Sequence, residues 1–199
     1  MVRVVKLGGS LLNLPDWAAR FRRWLAEQPP AVNILIVGGG RLADAIRDRD
    51  REVGLDPSTA HWLAIDAMSS NMAAVRRQLP EALPVDRCED LQAAFAERRL
   101  VAFGPRDFLR RIEPQAGGSR LPHSWDATSD SIAARLADVL GAGELVLLKS
   151  APPPPQAATL QQIADAGYVD RGFPVFASGI ALVRFDDLGC EKCHERPTS

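Results

Sequence analysis

Twice within its first forty residues the chain runs from a β-branched, apolar segment into glycines and then into helix-forming sequence. This pattern restricts the fold more than any other feature. Residues 2–6 lead into Leu7-Gly8-Gly9-Ser10 and a helical stretch over 16–28. Residues 33–37 lead into Gly38-Gly39-Gly40 and a solvent-facing helix over 41–53. Short, continuously apolar strands separated by helices lie parallel, because each needs a helical crossover to return to the same edge of a sheet and is then covered on both faces. The expected fold is α/β: a three-layer αβα sandwich with a mostly parallel open sheet.

The alternation continues to the end of the chain, with no internal repeat. Pro57 stands where a helix start accepts it, Asp56 or Ser58 can cap that helix, and Ala64, Met68, Met72, Val75 and Leu79 share one face until Pro80 and Pro84 close it. Strands are predicted over 85–88, 100–103 and 145–148, with two closing strands within 174–185. Helices are predicted over 89–98 and 160–166, with a helical turn over 106–112. A loop over 113–122 precedes a helix in which Ile132, Leu136, Val139 and Leu140 share a face and which Gly141 and Gly143 end. The consecutive prolines at 152–155 form a stiff, extended loop. The length of 199 residues suits one domain over 1–187 with a C-terminal tail over 188–199.

Charge and composition narrow the partners. Lys plus Arg number 24 against 25 Asp plus Glu, which gives no basic surface for nucleic acid. No apolar run approaches the roughly 20 residues of a membrane span, and the N-terminus reads as a strand, not an export signal, so the expected location is cytoplasmic. The 3 cysteines cannot staple a domain of this size. Cys190-Glu191-Lys192-Cys193-His194 fits the haem-attachment spacing, but that chemistry belongs to an exported context; a zinc site would need a fourth ligand, so a reduced tail without metal is expected. The long helix with His61 and Trp62 suits the core or the interface of a homodimer or higher homo-oligomer.

The chemistry is concentrated in four elements. Lys6 with Gly8, Gly9 and Ser10 places a cation beside bare backbone amides, a cradle for phosphate oxygens. Gly38, Gly39 and Gly40 repeat that cradle at the next junction. Residues 123–130 contain His123, Trp125, Asp126 and, in the first turn of a helix, Asp130; Lys149 ends a buried strand. Phosphoryl transfer requires two repelling anions held in line while positive charge gathers around the moving group, and lysines and amides supply this. Asp130 can hold Lys6 and Lys149 in place or help place Mg²⁺. Taken singly, the lysines can also be solvated strand ends, Asp130 an ordinary first-turn carboxylate, and Trp125 a loop anchor.

In their order along the chain, Lys6-Leu7-Gly8-Gly9-Ser10, Val37-Gly38-Gly39-Gly40, Thr128-Ser129-Asp130 through Leu136-Ala137, Gly141-Ala142 and Leu147-Leu148-Lys149 resemble the amino acid kinase superfamily, over most of the chain. That resemblance implies an ATP-dependent kinase with Mg²⁺. Lys6 would contact the transferring phosphate, Gly8, Gly9 and Ser10 the nucleotide phosphates, and Gly38 to Gly40 the acceptor, while Asp130 would organise the lysines. The chain departs from the pattern after Leu148, where Ala151 and the prolines replace an Asp-Gly nucleotide loop and no later Gly-Gly-Met segment with its lysine follows. With His123-Ser124-Trp125-Asp126 and its short length it is most similar to the aminomethylfuran-methyl phosphate kinase branch of C1 metabolism. This implies a phosphomonoester acceptor, with Trp125 stacking on a small ring and Asp126 pairing with an aminomethyl group. The alternatives are a carboxylate or carbamate kinase and a nucleotide-binding subunit without turnover.

Overall fold

The computed structural model describes residues 1–97 and 100–190. Six strands, β1 (Val2–Leu7), β2 (Val32–Val37), β3 (Leu83–Val85), β4 (Leu100–Phe103), β5 (Glu144–Lys149) and β6 (Val183–Asp187), form one sheet in the order β3-β4-β2-β1-β5-β6. Every pairing is parallel, so all the strands end at one rim. Side chains along the central strands alternate between two cores, as doubly covered strands require. Val4, Ile34, Ile36, Leu145 and Leu147 enter one core; Val5, Leu7, Leu35, Val37, Val146 and Leu148 enter the other.

Each core is closed by helices, which completes the αβα sandwich. α1 (Trp17–Ala26) buries Trp17, Phe21 and Trp24 in the second core, at about 1.5–3 kcal/mol for each large side chain removed from water. α2 (Gly40–Val53) lies outside with no fully buried residue, as its polar composition predicted. In α3 (Pro57–Gln78), Asp56 caps the helix by accepting from the Thr59 N–H at 2.9 Å. Met68 packs in the first core and Met72, Val75 and Leu79 in the second. α4 (Leu91–Glu97) and a π-helical turn (Phe108–Ile112) lead to α5 (Ser129–Val139), whose residues Asp130, Ser131, Ile132, Ala133, Ala134, Arg135, Leu136 and Ala137 are all buried. α6 (Leu160–Asp165) and α7 (Phe173–Ala177) cover the same side.

Two local expectations are corrected. Pro84 does not close α3 but stands inside β3, and the strand predicted over 85–88 ends at Val85; β3 is an edge strand, where a missing N–H costs no ladder bond. Of the two strands expected within 174–185, the first is helix α7. Its aromatic run reads as a strand, yet Pro174 opens the helix and Phe173, Phe176 and Ala177 pack into the core beside α5. Leu188 is buried and its N–H donates to Lys149 O at 2.9 Å, so the chain stays tied to the sheet past β6. Cys193 and His194, with the rest of 191–199, lie outside the described residues. Among those described, no helix is long and apolar enough to cross a membrane.

Candidate active site

Strand parity decides which charges meet. Lys6 shares the face of Val4, and Lys149 that of Leu145 and Leu147, so both point to the face that α5 covers. β1 and β5 are hydrogen-bonded neighbours, with Lys6 opposite Leu147. The first turn of α5 delivers Asp130 between the lysines. Lys6 Nζ lies 2.8 Å from Asp130 Oδ1, and Lys149 Nζ lies 2.8 Å from Oδ2 and 2.8 Å from Tyr168 O. Lys6 is 4% exposed and Asp130 5%, so neither is a solvated surface charge.

Burial alone would push the Asp130 carboxyl up, but Lys6 and Lys149 together outweigh it and hold the group below the usual carboxylate range. Lys149 is pulled below the usual lysine value by burial and by the Lys6 charge, against which Asp130 works only in part. At direct contact two cations share one anion, with Asp170 acting on Lys149 from farther off, and the cluster faces an open cleft that a further anion can enter.

The glycine turns meet in direct backbone contact above this cluster. A Cβ on Gly9 would fall 2.3 Å from Gly40 N, and one on Gly38 would fall 2.9 Å from Gly9 N and 3.4 Å from Lys6 Cε. Gly40 has φ +50°, a conformation that favours glycine. The amides divide by role. Gly8 N–H donates to Leu148 O and Gly38 N–H to Leu7 O, both at 2.9 Å, which extends the sheet ladder. Gly39 and Gly40 begin α2, where the first N–H groups have no acceptor within the helix, and Gly9 and Ser10 open a 3₁₀ turn (Gly9–Asn13) in the same way. Ser10 Oγ sits 3.2 Å from Ser150 Oγ at the exposed side of the turn.

Two spaces adjoin the cluster. A cavity of about 350 Å³ has Gly39 and Gly40 at one end and Ile65, Met68, His123 and Trp125 around it. A cleft of about 780 Å³ is floored by Asp130 and Lys149 and walled by Tyr168 and Asp170. Trp125 borders both. Asp126 borders only the cleft, 63% exposed, with Arg171 NH1 3.8 Å away. The sequence elements thus converge on these two spaces, with Asp126 lining the cleft and not the cavity.

Several residues that build the site carried no signal in the sequence. Asp170 fixes the start of α5: its carboxylate accepts from Thr128 N (2.8 Å), Thr128 Oγ1 (2.9 Å), Ser131 N (3.0 Å), Ser131 Oγ and Phe173 N (3.0 Å). Asn71 on α3 donates to Gly38 O at 2.8 Å, pinning the second glycine turn. Tyr168 supplies a carbonyl to Lys149, and its ring centre lies 5.2 Å from that ammonium. Each is a lone polar or aromatic residue with no fixed spacing to the motif it serves.

The fold is that of the amino acid kinase group. Uridylate kinase from Archaeoglobus fulgidus superposes with a TM-score of 0.59 at 20% identity, over 94% of this chain and 92% of that one. UMP kinase from Ureaplasma parvum gives 0.64 at 14% identity over 94% and 89%. Aspartate kinase from Synechocystis gives 0.63 at 17% identity, over 95% of this chain and 39% of the larger one. In sequence the chain is similar to the [5-(aminomethyl)furan-3-yl]methyl phosphate kinase of Methanocaldococcus jannaschii, 24% identical over 146 residues. That match covers 73% of this chain and 64% of the relative's length. No family model matches the chain. The superfamily resemblance read from the motifs therefore extends to both fold and sequence.

Proposed function

We propose that the protein is an ATP-dependent kinase that moves the γ-phosphoryl group onto a small phosphomonoester, giving a diphosphate, with the aminomethylfuran-methyl phosphate named for the M. jannaschii relative as the first acceptor to try. The carrying observation is the buried Lys6–Asp130–Lys149 cluster, with its excess positive charge, beneath two touching glycine turns. Lys6 and Lys149 offset charge on the moving phosphoryl group, and Asp130 holds the two ammonium groups apart and aimed. Amides of Gly9 and Ser10 serve the nucleotide phosphates, and those of Gly39 and Gly40 the acceptor. The roles of Gly8 and Gly38 are to seat these turns on the sheet. The bare amides and two lysines fit a polyphosphate. Both Asp130 oxygens are committed to lysines, so Mg²⁺ would be held chiefly by the nucleotide's own oxygens, lowering the charge repulsion there.

The test is coupled ADP release over a panel of small phosphomonoesters, with the product then treated with hydroxylamine. Release that depends on a phosphomonoester, with a hydroxylamine-resistant product, supports the reading. A hydroxylamine-labile product identifies an acyl phosphate and a carboxylate kinase instead. Tight ATP binding without ADP release over the whole panel identifies a nucleotide-binding subunit.

A further inference from the structure

We propose that Tyr168 is a positioning residue: it holds the Lys149 ammonium in the orientation that phosphoryl transfer needs, and through its phenol it ties that lysine to the loop that follows it. The proposal rests on the kinase reading above and adds a residue to its machinery. An ammonium has three N–H donors. One from Lys149 goes to Asp130 Oδ2 and one to Tyr168 O, both at 2.8 Å, which leaves a single donor for a phosphate oxygen in the cleft that Lys149 lines.

Tyr168 reaches this place because of the way α6 ends. Gly167 has φ +72°; its N–H donates to Ala164 O at 2.9 Å, and the Tyr168 N–H donates to Ile163 O at 3.1 Å. Those two bonds form the left-handed cap that turns a chain away from a helix C-terminus, and they fix the residue after the glycine. The Tyr168 carbonyl thereby meets the lysine at the end of β5. Two residues on, Asp170 seats the start of α5 and with it Asp130. One short segment supports Lys149 through Tyr168 and Asp130 through Asp170.

The side chain adds to the hold of the carbonyl. Its ring centre lies 5.2 Å from Lys149 Nζ, within the range at which an aromatic ring attracts a cation. The ring is itself fixed at two points. Its hydroxyl donates to Ala151 O at 2.7 Å, just ahead of the prolines, and it meets Phe185 of β6 edge to face with centres 5.6 Å apart. Ser150, between Lys149 and Ala151, places its Oγ 3.2 Å from Ser10 Oγ on the first glycine turn. The backbone after Lys149 is therefore tied to the phosphate cradle on one side and to the phenol on the other. A lysine head on a four-carbon stem is free to turn; two acceptors and a ring restrict it before ATP arrives.

The experiment is a double-mutant cycle of Tyr168→Leu with Lys149→Met, read in kcat for ADP release and in affinity for a non-hydrolysable ATP analogue by calorimetry. Tyr168→Leu alone is expected to lower kcat about tenfold and analogue affinity about fivefold. Added to Lys149→Met it should change either by less than about twofold, because the group it positions is gone. Tyr168→Phe keeps the ring and the carbonyl, so its kcat should stay within about threefold of wild type, and its smaller loss should likewise vanish beside Lys149→Met. It carries the cycle if Tyr168→Leu does not fold, and the affinity arm decides if Lys149→Met shows no turnover. Equal effects of the Tyr168 substitution with and without Lys149, or wild-type kcat and affinity in folded Tyr168→Leu, would overturn the proposal. Coupling in analogue affinity without ADP release from any phosphomonoester sinks the kinase reading and leaves the positioning role; ADP release without coupling does the reverse.

Discussion

Strands β1 and β5 each carry charge near both ends, and the two ends are built to opposite plans. At the start of the strands, Arg3 and Glu144 are register partners on the α1 side of the sheet, with Arg3 Nε 2.5 Å from Glu144 Oε2. Arg184 meets the other Glu144 oxygen at 2.9 Å and Asp186 at 3.3 Å, while Arg3 also donates to Asn33 Oδ1 at 2.9 Å. Two arginines face two carboxylates, and that account closes within the protein. At the far end, on the α5 side, Lys6 and Lys149 both pair with Asp130, with Asp170 acting on Lys149 from farther off, next to open space. A balanced cluster holds strands together; an unbalanced one awaits an anion.

Substitutions should separate the two. Lys6→Ala is expected to lower turnover by about 10³-fold with little change in melting temperature, measured as ADP release beside a thermal melt. Glu144→Ala should do the opposite: it strands the buried Arg3 and takes one partner from the half-buried Arg184, costs about 3–5 kcal/mol, and leaves the kinetics of the folded fraction near wild type. Equal behaviour of the two variants would erase the contrast. Next in size is Gly40→Ala, whose Cβ would sit 2.8 Å from Gly9 O at a φ of +50°. It should cost about 1–3 kcal/mol and roughly 10² in turnover, since the turns must part.

Asp170→Asn sharpens the same contrast more gently. It keeps the shape but weakens the bonds that seat Asp130, so a roughly tenfold loss in kcat with KM for ATP little changed is expected. Loss of stability alone, with kcat intact, would make Asp170 a structural cap only. The smallest effect is in the pH profile. Because Lys149 is lowered, activity that needs its charge is full below the lowered value and fades as pH rises through it, earlier than for an ordinary lysine. Lys149→Arg should move that alkaline limb upward, since arginine stays charged. On the acid side Asp130 is depressed, so the stability it contributes is present above the usual carboxylate value and is lost only as pH falls through its lower folded one.

The sandwich was legible because apolar runs and glycines mark strand ends locally. The strand order was not, since β1 lies between β2 and β5 through contacts distant in sequence. Phe173 to Ala177 misled because aromatic and β-branched residues suit a strand as well as a buried helix, and packing beside α5 decided between them. Lys6, Asp130 and Lys149 were readable as charges at strand and helix ends, where such residues are costly to bury without purpose. Asp170 and Asn71 were not, because a single side chain that bonds a backbone group leaves no periodic trace. Asp126 illustrates the converse: next to Trp125 in the chain, it lines the cleft with Asp130 and Lys149 but not the cavity.

The most direct measurement is a calorimetric titration of a non-hydrolysable ATP analogue into the wild type, Lys6→Ala and Arg3→Lys, which needs no knowledge of the acceptor. The account predicts that Lys6→Ala weakens the analogue by about 100-fold and that Arg3→Lys binds as the wild type does. Affinity that is unchanged in Lys6→Ala, in protein that melts as the wild type does, would contradict it.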